Sequence, residues 1–493
     1  MEHKVARGQG EIGTCQKATT TLDKRPTGQR MIDLTPVIAA FAVLFLMWVL
    51  NNITNPFYQN NLERDHLRHV PVTSEVSFDG QFRLLGYDAL PRRVRSGDCF
   101  EAHLYWQDSV PGGVDYRPLV TVRDETGILW SNKEVRFARW YRPPPSPRFW
   151  PPDHYALLAY TPCLFTGIPP GKYVVMVEVF DKQTGAIFAA QDRTRFLGTE
   201  IPLGTIQVVR PSRVSQEIPA QRLADAPAGP VRLVGYGLDR EGARPGDPFL
   251  LTLFWRTEET PGEELWLRLH LRPEISNVQS KTWDLPLTSF PTTEWQEGDL
   301  WRGQHLLRLP AGLESGTYQW ILEVCRGNIP ACEPMGEEVS LGTLEVHAPQ
   351  RLWEAPPLDI EVNACFDNVI TLLGANLNPE TLNPGTPLTV TLVWHAEAEM
   401  ETSYRVFLHL LGPDGNIVAQ SDGEPANWTR PTTGWLPGEV VLDERTISIP
   451  GELTPGEYDL VVGVYTQHFK RLVSSSGEDA VPIARIALEE NEE

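Results

Sequence analysis

The chain has 493 residues, 41% hydrophobic and 22% charged, which excludes a disordered or fibrous polymer and leaves room for three or four domains of ordinary size. Its net charge of −21 repels phosphate backbones and excludes nucleic acid as a partner; it also disfavours lying flat on an anionic membrane. With 43 prolines, 39 glycines and 15 tryptophans, many short strands and turns are expected rather than long helices.

Residues 1–33 form a polar arm. From Leu34 to Leu50 runs LTPVIAAFAVLFLMWVL, without a charge. Seventeen such residues span about 25 Å as a helix, against a hydrocarbon core of about 30 Å, and Trp48 stands where an interfacial anchor is useful. The stretch 34–51 is therefore read as a single transmembrane helix. A cleaved signal peptide fits less well, because the arm before it is long and NNITNP after it lacks a small-x-small site. A buried core helix is the other alternative. Lys24, Arg25 and Arg30 precede the span, which predicts a cytoplasmic N-terminus in the cell membrane and an extracytoplasmic remainder. Residues 52–75 read as a polar stalk, with His66 and His69 on one side of a helical turn and no third metal ligand evident.

Beyond the stalk one pattern occurs three times. RLLGY at 83–87, RLVGY at 232–236 and TLLGA at 371–375 each precede a turn and then a strand ending in tryptophan: FEAHLYW, FLLTLFW and LTVTLVW. Gly86, Gly235 and Gly374 stand 20 residues before Trp106, Trp255 and Trp394. A second tryptophan follows in a loop (Trp150, Trp295, Trp435), and 21 residues after it comes the glycine of PGKYVVMVEVFD, SGTYQWILEVCR or PGEYDLVVGVYT. Within the tryptophan strands alternate positions are apolar, as in Phe249, Leu251, Leu253 and Trp255, the period of a strand with one face on a core. Tyr173, Tyr318 and Tyr458 head a late strand, as in the tyrosine corner of immunoglobulin-like domains. The fold class expected is all-β: three tandem immunoglobulin-like antiparallel β-sandwiches after one transmembrane helix. The boundaries expected are 76–209, 231–347 and 358–488, with linkers at 210–230 and 348–357 and an acidic tail at 489–493. Proline stiffens both linkers, which predicts an extended rod.

Six cysteines are present. Cys325 and Cys332 flank a six-residue loop, and Cys99 and Cys163 fall within one copy; each pair is a candidate disulfide or two free buried thiols. No zinc spacing, nucleophile motif, phosphate loop or dinucleotide fingerprint occurs, and no acidic residue stands out at a position shared by the copies. No cofactor and no metal site are expected. His103 and His409 lie in strands as ordinary satisfied side chains. Asp414 and Asp422 read as turn residues before they read as calcium ligands. Asn52-Ile-Thr and Asn427-Trp-Thr match the glycosylation acceptor pattern. FARWYRPPPSPRFWPP, 137–152, gathers Trp140, Tyr141, Phe149 and Trp150 around a proline run, the candidate stacking surface for sugar rings or a partner protein. Trp150 has counterparts in the other copies, which favours a packing role for it over a stacking one.

Over 370–488 the third copy, with YRVFLHLLGPDGNIVAQ, RPTTGWLPGEVVLDERTISIP and PGEYDLVVGVYT, resembles extracytoplasmic β-rich modules of bacterial membrane proteins. Such modules follow the multi-spanning part of glycosyltransferases of the dolichyl-phosphate-mannose type. This chain has one apolar stretch and no D-x-D pair, so the resemblance implies location and fold. The expected function is non-catalytic: binding or spacing at the envelope, with envelope glycans or a membrane-bound protein as partner. The alternatives are an accessory subunit or remnant of a cell-surface glycosyltransferase system, and a glycoside hydrolase whose carboxylates meet in a cleft.

Overall fold

A computed structural model describes residues 40–46, 62–63, 66–67, 70–108, 113–138, 146–150, 154–193, 195–275, 280–379, 384–454, 456–467 and 469–488. The chain divides into Met1–Pro56 and Phe57–Glu493. In the first unit, 40–46 is helical with exposed side chains. The rest of the 34–51 stretch lies outside the described residues, and among the described residues no helix is long and apolar enough to cross a membrane. In the stalk, His66–Leu67 is extended and pairs with Leu62–Glu63, so the helical turn expected at His66 is replaced by a short hairpin.

The second unit is built of β-strands in three pairs of facing sheets. In the middle pair, one sheet runs Arg222–Ala228, Val231–Leu238, Pro248–Thr257, Leu300–Arg308, all antiparallel. The facing sheet runs Gly242–Ala243, Val339–Val346, Gly316–Arg326, Leu265–Pro273, Lys281–Pro286. Its short first strand pairs in parallel with the last, Gly242 against Glu345. Alternation places Phe249, Leu251, Leu253 and Trp255 against Leu265, Leu267, Leu269 and Leu271 in one core. Each such side chain contributes about 1.5–3 kcal/mol on burial.

The first pair repeats the arrangement. Val72–Phe78, Phe82–Tyr87, Ala102–Asp108 and Ala156–Tyr160 face Arg93–Arg95, Glu200–Val209, Gly171–Asp181 and Tyr116–Arg123. Arg93–Arg95 again pairs in parallel with the last strand. In the third pair, Ile360–Phe366, Ile370–Asn378, Pro387–Ala396 and Val440–Ser448 face Ile417–Gly423, Arg405–Leu411, Gly456–Tyr465 and Val481–Leu488. Each pair encloses its own core.

Two boundaries differ from the sequence reading. Arg222–Ala228 is a strand within the stretch read as linker, and Val72–Phe78 begins inside the stretch read as stalk. RLADAPA carries a proline, which argues against a central strand. As the edge of its sheet it needs no donor on the outer side, so Pro227 is tolerated.

The sandwiches also meet one another. Between the first and second, Arg302 N donates to Gly167 O at 2.7 Å and Gln304 Nε2 to Leu129 O at 2.8 Å. Between the second and third, Thr433 Oγ1 donates to Gly246 O at 2.7 Å. A Cβ on Gly246, whose φ is +83°, would stand 2.2 Å from Gly434 N. The first and third sandwiches touch as well: Phe196 packs edge-on against Phe469, ring centroids 4.5 Å apart. The extended rod expected from stiff linkers is therefore corrected. Stiffness fixes the direction in which each linker leaves, and here the directions return the third sandwich to the first.

Candidate binding site and sandwich junctions

The residues singled out as structural are at the centre of the three cores. Trp106, Trp255 and Trp394 are fully buried, and their indole N–H groups have no partner among the described residues. The three late-strand tyrosines each bond four residues back: Tyr173 Oη donates to Pro169 O at 2.9 Å, Tyr318 to Glu314 O at 3.1 Å and Tyr458 to Thr454 O at 2.8 Å. Burial raises the Tyr173 and Tyr318 hydroxyls above their ordinary pKa.

Cys99 and Cys163 are bonded, as are Cys325 and Cys332. The first bridge ties the turn before the tryptophan strand to the loop after Ala156–Tyr160. The second closes the loop at the end of Gly316–Arg326. Cys365 is free and half-buried.

The aromatic candidates of 137–152 separate. Trp140 and Tyr141 lie outside the described residues. Phe149 is 64% exposed, whereas Trp150 is 2% exposed. Trp150 closes the 3₁₀ turn Pro147–Phe149, its backbone N–H reaching Pro147 O at 2.8 Å. Trp295 and Trp435 close Thr292–Glu294 and Thr432–Gly434 in the same way. Trp150 is thus a core side chain, and its ring does not offer the open stacking face considered from the sequence.

It does line one side of a cavity of about 190 Å³, with Asp115, Tyr116, Arg117, Phe137 and Lys182 among the other walls. Ser146 Oγ donates to Asp115 Oδ1, and Lys182 Nζ stands 4.0 Å from Asp115. Tyr116 Oη donates to Asp79 Oδ2 at 3.3 Å. Burial first, and Asp79 second, push the Tyr116 hydroxyl pKa upward, so it remains a donor at every physiological pH. Aromatic walls with a few fixed polar groups are the general make-up of a small-ligand pocket.

Carboxylates at one shared position escaped the sequence reading. Asp299 and Glu439 each stand four residues after the loop tryptophan. Each takes an arginine from the preceding linker, Arg210 and Arg351 respectively. Each arginine also donates to the carbonyl just before that tryptophan, Glu294 O or Gly434 O. Arg351 reaches back to Ala311 O of the second sandwich as well, at 2.5 Å. In the first copy the position holds His154. In the second and third copies the acid ties its sandwich to the linker that precedes it.

The remaining polar candidates are ordinary. Asp414 Oδ1 accepts from Asn416 N at 3.1 Å in a turn, and this backbone bond, with that from the Asn416 side chain, holds its pKa below the usual carboxylate value. His409 Nε2 faces Asp422 at 3.5 Å, and His103 lies between Asp88 and Glu101, 3.1 Å from each. Among the described residues no group of three His, Cys, Asp or Glu is placed to hold a metal ion.

Comparison with protein families and with curated proteins finds no match. Among solved structures the chain aligns with a "Putative membrane anchored protein from Corynebacterium diphtheriae" over 84% of this chain and 91% of that one, at 12% identity and a TM-score of 0.16. It also aligns with trypsin activated alpha-2-macroglobulin from Escherichia coli, over 88% of this chain and 25% of that one, at 11% identity and a TM-score of 0.17. Likenesses this loose carry no argument about function.

Proposed function

We propose that this chain is a membrane-anchored, non-catalytic protein of the extracytoplasmic envelope, presenting three immunoglobulin-like modules for binding or spacing. The observation that carries this reading is the pair of disulfides in separate sandwiches, because bonded cysteines persist in oxidising compartments. The uncharged stretch Leu34–Leu50, with its basic residues before it, supports an N-in anchor. The immunoglobulin-like assignment draws support from the strand order, from the short strand parallel to the last one in two copies, and from the three tyrosine corners. The cavity beside Trp150 suits one sugar ring of an envelope glycan: aromatic walls, with Arg117, Lys182 and Asp115 as polar handles. The resemblance of 370–488 to modules appended to glycosyltransferases favours, as a second reading, an accessory subunit of such a system.

Location is tested on intact cells with a membrane-impermeant maleimide, before and after external reduction, followed by peptide mapping. Labelling of Cys325 and Cys332 only after reduction, without breaking the cells, is the expected result. Labelling that requires lysis overturns the reading. Binding is tested with the full-length protein in detergent against polysaccharides of its own envelope. Saturable binding weakened in K182A supports the cavity, and undiminished binding in K182A removes it; W140A/Y141A separately tests the aromatic surface expected from the sequence. If nothing binds, a spacer or protein-partner role is left.

A further inference from the structure

The second sandwich carries a small apolar cluster apart from its core, made of Val234, Phe254 and Leu300, with Val214, Ile218 and Ala220 of the preceding linker packed on it. Arg302 lies beside this cluster. Its guanidinium carbon is 4.2 Å from the ring centroid of Phe165, on the first sandwich, and 5.4 Å from that of Phe254. Nη2 donates to Gln304 Oε1 at 3.2 Å, and the buried Nε has no acceptor among the described residues.

Arg210, Arg351, Arg430 and Arg445 each hold a carboxylate. Arg302 has none among the described residues. Burial alone draws its pKa down to about 10, with no carboxylate to offset it. In a chain with 64 Asp and Glu, a desolvated guanidinium without a counter-charge is costly, and the cost is removed when an anion binds to it. The same side chain lines a cavity of about 200 Å³ with Gln221, Asp239, Thr252 and Phe254 among the walls. Asp239 is already engaged, accepting from Leu250 N at 3.0 Å and from Arg240. Gln221 spends its Oε1 on Leu238 N at 2.9 Å, which leaves its amide N–H groups as donors.

We propose that this cavity binds a small oxyanion, a carboxylate or phosphate group, on the Arg302 guanidinium held between Phe165 and Phe254, with Thr252 and Gln221 as further donors. A guanidinium matches either group by paired N–H donors. The two sources are a uronic acid sugar and a phosphate-bearing polymer. The site is separate from the cavity beside Trp150, and the inference does not depend on the surface-protein reading.

The test is calorimetric titration of the full-length protein in detergent, at constant ionic strength, with sodium glucuronate, inorganic phosphate and neutral glucose. Saturable binding of glucuronate, phosphate or both is expected, with none of glucose, and R302M should weaken it at least tenfold while R302K weakens it less. Binding of glucuronate alone assigns the acidic sugar, and binding of phosphate alone assigns the phosphate source. Should R302M fail to fold, T252V and Q221L decide, each expected to weaken binding at least threefold with the ring contacts of Arg302 intact. Failure of both anions to bind the wild-type protein overturns the proposal. So does equal binding by a folded R302M or, should R302M not fold, by both cavity-wall variants.

Discussion

Replacing Arg351 by Met should uncouple the second and third sandwiches and destabilise the third. Glu439 is fully buried and accepts from Arg351, from Arg430 Nη2 at 2.5 Å and from Leu436 N at 2.9 Å. Arg351 is itself 14% exposed as a side chain and also holds Ala311 O and Gly434 O. Removing one partner of a buried ion pair costs about 3–5 kcal/mol when nothing compensates. Here Arg430 remains, so the carboxylate keeps one cation, while two charge-assisted bonds to carbonyls are lost. A net loss of about 3 kcal/mol follows, which for a module of this size lowers its transition by about 10 °C. Differential scanning calorimetry of the full-length protein reads this as a downward shift of one transition with the others unmoved. The double variant R351M/E439L should lose less than the sum of the singles, because the buried charge and its partner leave together. A shift of R351M below about 2 °C, or strict additivity in the double variant, refutes the reasoning.

Other outcomes follow from the same contacts. His305 is buried beside the Leu287 carbonyl, and burial lowers its pKa to about 4. The unfolded chain, with an ordinary value of about 6.5, takes up the proton first. This stability is therefore complete above about pH 6.5 and declines as pH falls to about 4, by roughly 3 kcal/mol in all; denaturant titrations between these limits should show the slope in wild type and a shallower one in H305Q. The Cys99–Cys163 bridge closes a separation of 64 residues and Cys325–Cys332 one of 7. Paired serine variants should lose about 4 and about 2.5 kcal/mol respectively, and equal losses in chemical denaturation would contradict the loop-entropy account. Y173F, Y318F and Y458F should each cost about 1 kcal/mol, read in the same titrations, since each removes one bond to a carbonyl and leaves the ring in place.

The periodic features were legible because they are local. Alternating apolar side chains in FLLTLFW and LTVTLVW make strands whatever lies around them, and three recurrences of one spacing make three units with the same core tryptophan and corner tyrosine. Even the acid that ties each of these sandwiches to its linker left a trace, at a fixed step after Trp295 and Trp435. Its meaning was not legible, because Arg210 is 89 residues from Asp299 and Arg351 is 88 from Glu439. Trp150 stood beside a proline run, yet its counterparts Trp295 and Trp435 already favoured packing over stacking; its ring lies within the first core, 5.9 Å from Phe82. The contact of Phe196 with Phe469 and the unpaired charge of Arg302 were decided by tertiary structure alone. A sequence fixes which side chains a strand turns inward. Which surfaces then meet, and which charge is left without a partner where they do, depends on how whole sandwiches pack across distances that no local pattern encodes.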